Sequence, residues 1–419
     1  MKNFTSPGLL LDMAAFHALF DAVAAVGCTP LGGLNRVAAS HEDGQSRDLV
    51  CAWLAQRHFK ISVDRVGNIY ALLTLADPTA PWVLTGSHLD SQPRGGRFDG
   101  AYGVIGACIV ADAMRTCAQQ QFSHNLGVVI WTNEEGARFS PSMLGSGVFA
   151  GRYTSDFALS RQDVHGVTLA QALGQIGYLG DSEAPAVPAA YVELHIEQGG
   201  LLEISNAGIG VVEGNWGAVK YAVTLRGTAA HTGPTPMEQR RDALLAAAKL
   251  VVACRAISDA TFGKLLTSVG RMDIEPNSSN VIAGSVTVYA DLRTTDNALL
   301  IESSLEFERA ASTIAADAKI EVDLQQVVNR PAGIFDAGLC TLVEQVATAK
   351  GYRPMRLSTI AGHDAIALCP LCPTAMIFVP SKDGISHNEA EFTSSTDLEA
   401  GLDVLGGTLH ELLRKPLTP

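Results

Sequence analysis

One pattern constrains this chain more than any other: a short apolar run that ends on residues able to carry chemistry, repeated along the sequence. "PWVLTGSH" (81–88) ends on His88, "NLGVVIWTNEE" (125–135) ends on Glu134 and Glu135, and "PAAYVELHIEQGG" (188–200) carries His195. A fourth run, "TAMIFVPS" (374–381), leads into "KDGISHNEAEFT" and His387. Apolar runs of this kind read as strands buried on both faces, and so as a sheet covered by helices. "AYGVIGACIVADAMRTCAQQ" (101–120) has the length and the apolar face of such a helix. The class is α/β, and an open α/β sheet binds its ligands at the carboxyl ends of its strands.

From about residue 213 the pattern changes. "VKYAVTLRGTAAH" reads as a strand, "RRDALLAAAKLVVACRAIS" as a helix, and "SNVIAGSVTVYADLRT" as two strands around a Gly-Ser turn. "ALLIESSLEFERAASTIAADA" then reads as a helix and "KIEVDLQQVVNR" as a closing strand, which gives the order of an α+β split βαβ unit, ferredoxin-like. A second domain is therefore expected over 213–330, inserted into a first built from 1–212 and 331–419. A chain of 419 residues is also longer than one core usually supports.

Charge and apolar content exclude several classes. A formal charge of -13 argues against nucleic acid, whose phosphates demand clustered Lys and Arg. No run of about 18 apolar residues crosses a bilayer. The start, "MKNFTSPGLLLDMAAFHALFDAVAAVG", lacks a signal-peptide pattern because Asp12 and Asp21 interrupt it, so a cytoplasmic protein is expected. The eight cysteines, mostly in apolar segments, read as small core residues, and Cys369 and Cys372 form a CxxC without a second pair.

"GSHLDSQPRGGRFDG" (86–100) is too rich in glycine and charge for a core strand. It brings His88, Asp90 and Asp99 to the strand ends that also carry Glu134, Glu135, His195 and His387. Such crowding of like charges is costly unless a cation neutralises it, so a metal centre is expected. Asp99 has two oxygens and suits a shared ligand. One ion then takes His88, Asp99 and His195, and the other takes Asp99, Glu135 and His387. Asp90 is expected to accept the free ring N–H of His88, and Glu134 to act as general base on water. Imidazole and carboxylate without thiolate suit Zn, Mn, Co or Ni. Gly95 and Gly96 are expected to turn the backbone so that Asp99 reaches the site, and Gly100 to ease entry into the next helix.

Eight segments occur in an order that resembles the amidase/hydantoinase/carbamoylase family of binuclear metallo-amidohydrolases, within the aminoacylase-type metallopeptidases. They are "GSHLDSQPRGGRFDG", "TNEEGARFSPSMLGSGVFAG", "ELHIEQG", "GTAAHTGPTPMEQRRDAL", "PNSSNVIAG", "ADLRT", "AGHDA" and "SHNEAEFT", and the resemblance as a whole runs from about residue 30 to 400. The resemblance implies a metallopeptidase-like domain with a mixed sheet flanked by helices, interrupted by a lid domain that makes a homodimer. It implies the same set of metal ligands for two divalent ions per subunit, with Glu134 as base. It also implies substrate contacts at Gln198, His231, Asn280 and Arg293. Their chemistry agrees: Arg293 offers a fork to a carboxylate, Asn280 and Gln198 can bond a ureido group, and His231 can stabilise an oxyanion. His363 and Asp364 in "AGHDA" are expected to support the site. "EQGGLLE" departs from the pattern, with Gly200 where many relatives have proline.

The expected activity is hydrolysis of the ureido bond of an N-carbamoyl-L-amino acid to amino acid, carbon dioxide and ammonia. Allantoate amidohydrolase and β-ureidopropionase are the near alternatives, and an N-acyl amino acid or peptide hydrolase a further one. A non-catalytic metal-dependent binding protein has no need for Glu134.

Overall fold

The structure is a computed structural model and describes residues 9–117 and 121–414. The first eight residues of the N-terminal segment and the last three of 101–120 lie outside the described residues. The chain forms two compact units, one running to Glu213 and resuming at Ile334, the other spanning Gly214–Gly333.

The first unit begins with two helices, Met13–Ala25 and His41–Ala55, capped by the side chains of Asp12 and Ser40, which accept the N–H groups of Ala15 and Asp43. Strands β1 (Lys60–Val63), β2 (Ile69–Leu73), β3 (Trp82–His88), β4 (Asn125–Trp131), β5 (Ala190–Ile196) and β6 (Ile209–Asn215) follow. The helix Ala101–Thr116 between β3 and β4 lies directly on β5. A Cβ added to Gly103 would stand 2.2 Å from the Leu194 carbonyl oxygen. That close approach fixes the helix start, and with it Asp99 and Gly100.

In the second unit the strands are β7 (Gly217–Arg226), β8 (Ala230–His231), β9 (Leu266–Glu275), β10 (Val281–Ile282), β11 (Ser285–Thr294) and β12 (Glu321–Arg330). Four of them form an antiparallel sheet in the order β12-β7-β11-β9. Helices Ala243–Asp259 and Asn297–Ala318 pack on the face that carries Val286, Val288, Ala290 and Leu292 of β11. The strand-helix-strand-strand-helix-strand order is present, but one assignment is corrected. "SNVIAGSVTVYADLRT" is not a pair of strands; β11 pairs with β9, and "SNVIAG" supplies only the short β10, which pairs with β8. β9 escapes detection because it is an edge strand with no buried position and mostly exposed side chains. Its register against β11 also shifts at Tyr289/Ala290, which breaks the alternation.

The chain then returns to the first unit with β13 (Pro354–Thr359) and β14 (Thr374–Val379), completing an eight-stranded mixed sheet in the order β1-β2-β4-β3-β5-β14-β6-β13. The four central strands β4, β3, β5 and β14 run parallel. β4, β5 and β14 are buried at every position, and β3 at all but Trp82. This is why they read as unbroken apolar runs. No helix among the described residues is long and apolar enough to cross a membrane.

Candidate metal centre

The carboxyl ends of the four parallel strands lie on one side of the sheet. Register sets His88 beside Trp131 of β4, three residues ahead of Glu134, and His195 beside Phe378 of β14. Asp99 Oδ1 lies 3.6 Å from His88 Nε2 and 3.2 Å from His195 Nε2. Its other oxygen, Oδ2, lies 3.3 Å from His387 Nε2, which is also 3.3 Å from Glu135 Oε2. Two ligand groups therefore share one carboxylate: His88, Asp99 and His195, and Asp99, Glu135 and His387. His88 Nδ1 faces the Asp90 carbonyl oxygen and His195 Nδ1 the Ile196 carbonyl oxygen, each at 2.9 Å. Those contacts take the ring N–H and turn each Nε2 lone pair toward Asp99.

Glu193, His195 and His363 make a third group with suitable spacing. Glu193 is already satisfied: its oxygens accept from Ser87 Oγ at 2.7 Å, the Ala365 N–H at 2.8 Å and the Tyr191 hydroxyl at 3.3 Å. It needs no ion, whereas the Asp99 groups crowd buried anions.

Asp90 corrects an expectation. Its main-chain oxygen, not its carboxylate, meets the His88 ring; the carboxylate stands 3.9 Å away. The tight turn after β3 points the carbonyl at the ring and leaves the side chain to accept the N–H groups of Glu134 and Glu135, each at 3.2 Å. Asp90 therefore shapes the turn that presents both glutamates. Gly95 and Gly96 act differently too. The positive-φ residue before them is Arg94 (φ 55°), while Gly96 gives room, since a Cβ there would fall 2.0 Å from the Glu391 carboxyl carbon. At Gly100 (φ 65°) a Cβ would reach the His88 ring at 2.3 Å.

Burial dominates the electrostatics. It raises Glu134 well above the usual carboxylate range, helped by Asp364 and Glu135, and pushes Glu135 up to about 8, helped by Asp99. It likewise lowers His88 to about 4, despite the attraction of Asp99. Asp99 is held well below its usual range: burial opposes this, but the imidazoles of His195 and His387 outweigh it. An anion kept charged among carboxylates that resist charging fits a divalent cation, and the imidazole and carboxylate donors suit one chemically.

Glu391, Gln92 and Glu193 are not among the residues expected from the sequence, whereas His363, Asp364 and Gln198 are. Glu391 is buried and accepts the N–H groups of Phe98 and Asp99, and Gln92 Nε2 donates to Glu135 Oε2 at 2.9 Å. Glu193 had a legible signal, a charged residue inside a wholly apolar run. The His363 ring packs edge-on against His195 with centroids 4.6 Å apart, and its Nε2 meets Thr359 Oγ1. Asp364 is fully buried. Gln198 takes a left-handed backbone (φ 57°) and donates from Nε2 to Asp99 Oδ2 at 2.7 Å, while its buried Oε1 has no partner.

His231, Asn280 and Arg293 belong to the second unit. His231 and Asn280 are neighbours, since Val281 pairs with His231 and the Asn280 carbonyl accepts the Thr232 N–H. Arg293 is at the other end of β11, opposite Ala218, with its guanidinium on Asp291. Eight positions separate it from Ser285, where β11 starts, so at the usual rise per residue about 25 Å of strand lies between it and the end of β11 that follows β10, the partner of His231. Within one copy of this unit these residues do not converge on one small molecule.

Sheet, strand-end imidazoles and shared carboxylate define a divalent-metal hydrolase class, and the sequence profile of Peptidase family M20/M25/M40 matches residues 84–411. The chain belongs to that family and is a hydrolase of carbon–nitrogen bonds. It is similar to an N-carbamoyl-L-amino-acid amidohydrolase of Rhizobium meliloti, with 39% identity over 91% of this chain and 92% of that one. It is 33% identical to an allantoate amidohydrolase of Escherichia coli, over 92% and 94% of the two chains. A crystal structure of a hydantoinase/carbamoylase family amidase from Burkholderia multivorans superposes with a TM-score of 0.88 at 39% identity, covering 98% of this chain and 100% of that one.

Proposed function

We propose that the protein hydrolyses the ureido C–N bond of a small carboxylate-bearing substrate, with an N-carbamoyl-L-amino acid as the first choice. The observation that carries this is Asp99, whose two oxygens face separate ligand groups beside Glu134, a buried carboxylate outside both. Two divalent ions per chain suit that arrangement, Zn or Mn first and Co or Ni after them. His88, Asp99 and His195 would hold one, and Asp99, Glu135 and His387 the other. When bound, such ions supply electrophilic activation of the ureido carbonyl and acidify the attacking water.

Glu134 takes the proton from that water as its oxygen bonds to the carbonyl carbon. The same carboxyl returns the proton to the leaving nitrogen as the C–N bond breaks. The amino acid leaves, and the carbamate decomposes to carbon dioxide and ammonia. Asp90 holds Glu134 in place through its N–H. Allantoate and 3-ureidopropionate, the β-ureidopropionase substrate, present the same two handles and are the nearest alternatives.

Arg293 anchors the substrate carboxylate. Lys220 and Arg293 share the single carboxylate of Asp291, which leaves one positive charge in excess there. Gln198 and Asn280 bond the ureido group and His231 the oxyanion. Because Arg293 is distant from His231 and Asn280 within one copy, a second copy completes the set, and the protein works as a homodimer joined through the second unit. An exposed apolar stripe on the helix Ala243–Asp259, formed by Leu245, Ala248, Val252 and Ala256, supports that interface. Free cysteines at all eight positions agree with a cytoplasmic setting.

A panel of N-carbamoyl amino acids, 3-ureidopropionate, allantoate and N-acetyl amino acids tests the reaction. Ammonia release from the ureido compounds alone supports the proposal, and turnover restricted to the acetyl compounds overturns it. Arg293→Ala should lower kcat/KM for carboxylate substrates by about 10- to 100-fold, while an alkylurea lacking the carboxylate is unaffected. Equal loss on both substrates removes Arg293 as the anchor. Mixing the impaired His231→Ala and Arg293→Ala chains under subunit exchange should raise activity above that of either alone, up to about a quarter of wild type for random pairing. No recovery in exchanged dimers means that one copy supplies both residues.

A further inference from the structure

We infer that Glu391 is a positioning residue that fixes the shared carboxylate of Asp99 relative to His387, and so governs the second ion position more than the first. This rests on the two-ion reading above. Glu391 belongs to neither ligand group, yet it joins the two loops that supply them. Its Oε1 accepts the N–H groups of Phe98 at 3.0 Å and Asp99 at 3.1 Å. Its Oε2 accepts from Ser386 Oγ at 2.8 Å, next to His387 in sequence. Ser386 Oγ lies 3.4 Å from Asp99 Oδ2, the oxygen that faces His387, and accepts from Gln198 Nε2 at 3.2 Å. Because a Cβ at Gly96 would overlap the carboxyl group, the loop before Asp99 is shaped around Glu391.

The asymmetry follows from what holds each ligand. His88 and His195 sit on β3 and β5 in the buried sheet, with ring nitrogens fixed by carbonyl oxygens. The His387 side chain is half exposed, on a left-handed residue (φ 53°) in the loop after β14. Its place against Asp99 is transmitted through Ser386 and Glu391. A further tie between the two loops, Arg94 to Glu389 at 2.7 Å, lies at the surface, where ion pairs contribute little. Glu391 offers three fixed acceptor contacts in the interior, where a lost partner leaves N–H groups unpaired.

The test uses the full chain stripped with chelator and titrated with Co(II) alone, followed by calorimetry and by the visible spectrum of the bound ion. Wild type is expected to bind two equivalents. Glu391→Ala should weaken the second by about 10- to 100-fold, the range for partners that orient ligands, and leave the first within about threefold. Glu391→Gln keeps an acceptor for Phe98 and Asp99 and should recover most of that loss. Ser386→Ala, a milder change that preserves the fold if Glu391→Ala does not, should weaken the second ion by several-fold. Equal weakening of both ions, or a glutamine variant no better than alanine, overturns the positioning role. A wild-type chain that binds one cobalt ion overturns the two-ion reading instead, and this is read before any variant is made.

Discussion

Glu134→Gln should lower kcat by about 10²- to 10⁴-fold, the usual contribution of a general acid–base group, with the metal content of the purified protein unchanged. Glutamine keeps the size and the main-chain bond to Asp90 but cannot carry a proton. Glu134 Oε2 lies 3.7 Å from His88 Nε2 and belongs to neither ligand group, so its loss leaves both groups whole. Metal analysis beside steady-state kinetics on an N-carbamoyl amino acid separates the two roles. Full activity in the variant would sink the mechanism, and loss of metal would make Glu134 a ligand.

Chelation should abolish activity and destabilise the fold in a pH-dependent way. Burial, then Asp99, pushes Glu135 up to about 8, and burial, then Asp43, pushes Asp90 up to about 7. Both values lie above those of the unfolded chain, so the folded chain binds extra protons between about pH 4 and pH 8. The stability gained from those protons is complete below that window and is lost as pH rises through it. A divalent cation removes the conflict by neutralising the carboxylates directly. The drop in Tm on chelation should therefore be larger near pH 8 than near pH 5.5, measured by calorimetry with and without added Zn or Mn. An equal drop at both values would mean that the anionic crowding is relieved without the ions.

Much of the fold was legible because its central strands are buried on both faces. The runs that end at His88 and His195 or lead on to Glu134 and His387 needed no alternation to be recognised, and parallel pairing brings their carboxyl ends together. β9 was missed for the opposite reason, since mostly exposed edge positions and a bulge carry no clean period. In the centre, ligand-type residues were legible by type. Asp90 was legible as a participant but not in its contact, because a main-chain oxygen and a side-chain oxygen of one residue are indistinguishable in sequence. Glu391 looked like any acidic loop residue, and only folding brings it against the N–H groups of Phe98 and Asp99.

The sequence by itself determined that three imidazoles and a surplus of carboxylates lie at or just beyond the ends of buried strands, a concentration of charge that suits a divalent cation. It also determined the family, through motifs whose order is a property of the chain. Only the tertiary structure decided which oxygen of Asp99 faces which imidazole, what Asp90 and Glu391 hold, and that Arg293 stands far from His231 within one unit. Those are distances between residues remote in sequence, set by strand register and by the close approach of helix to sheet, and no local pattern encodes them.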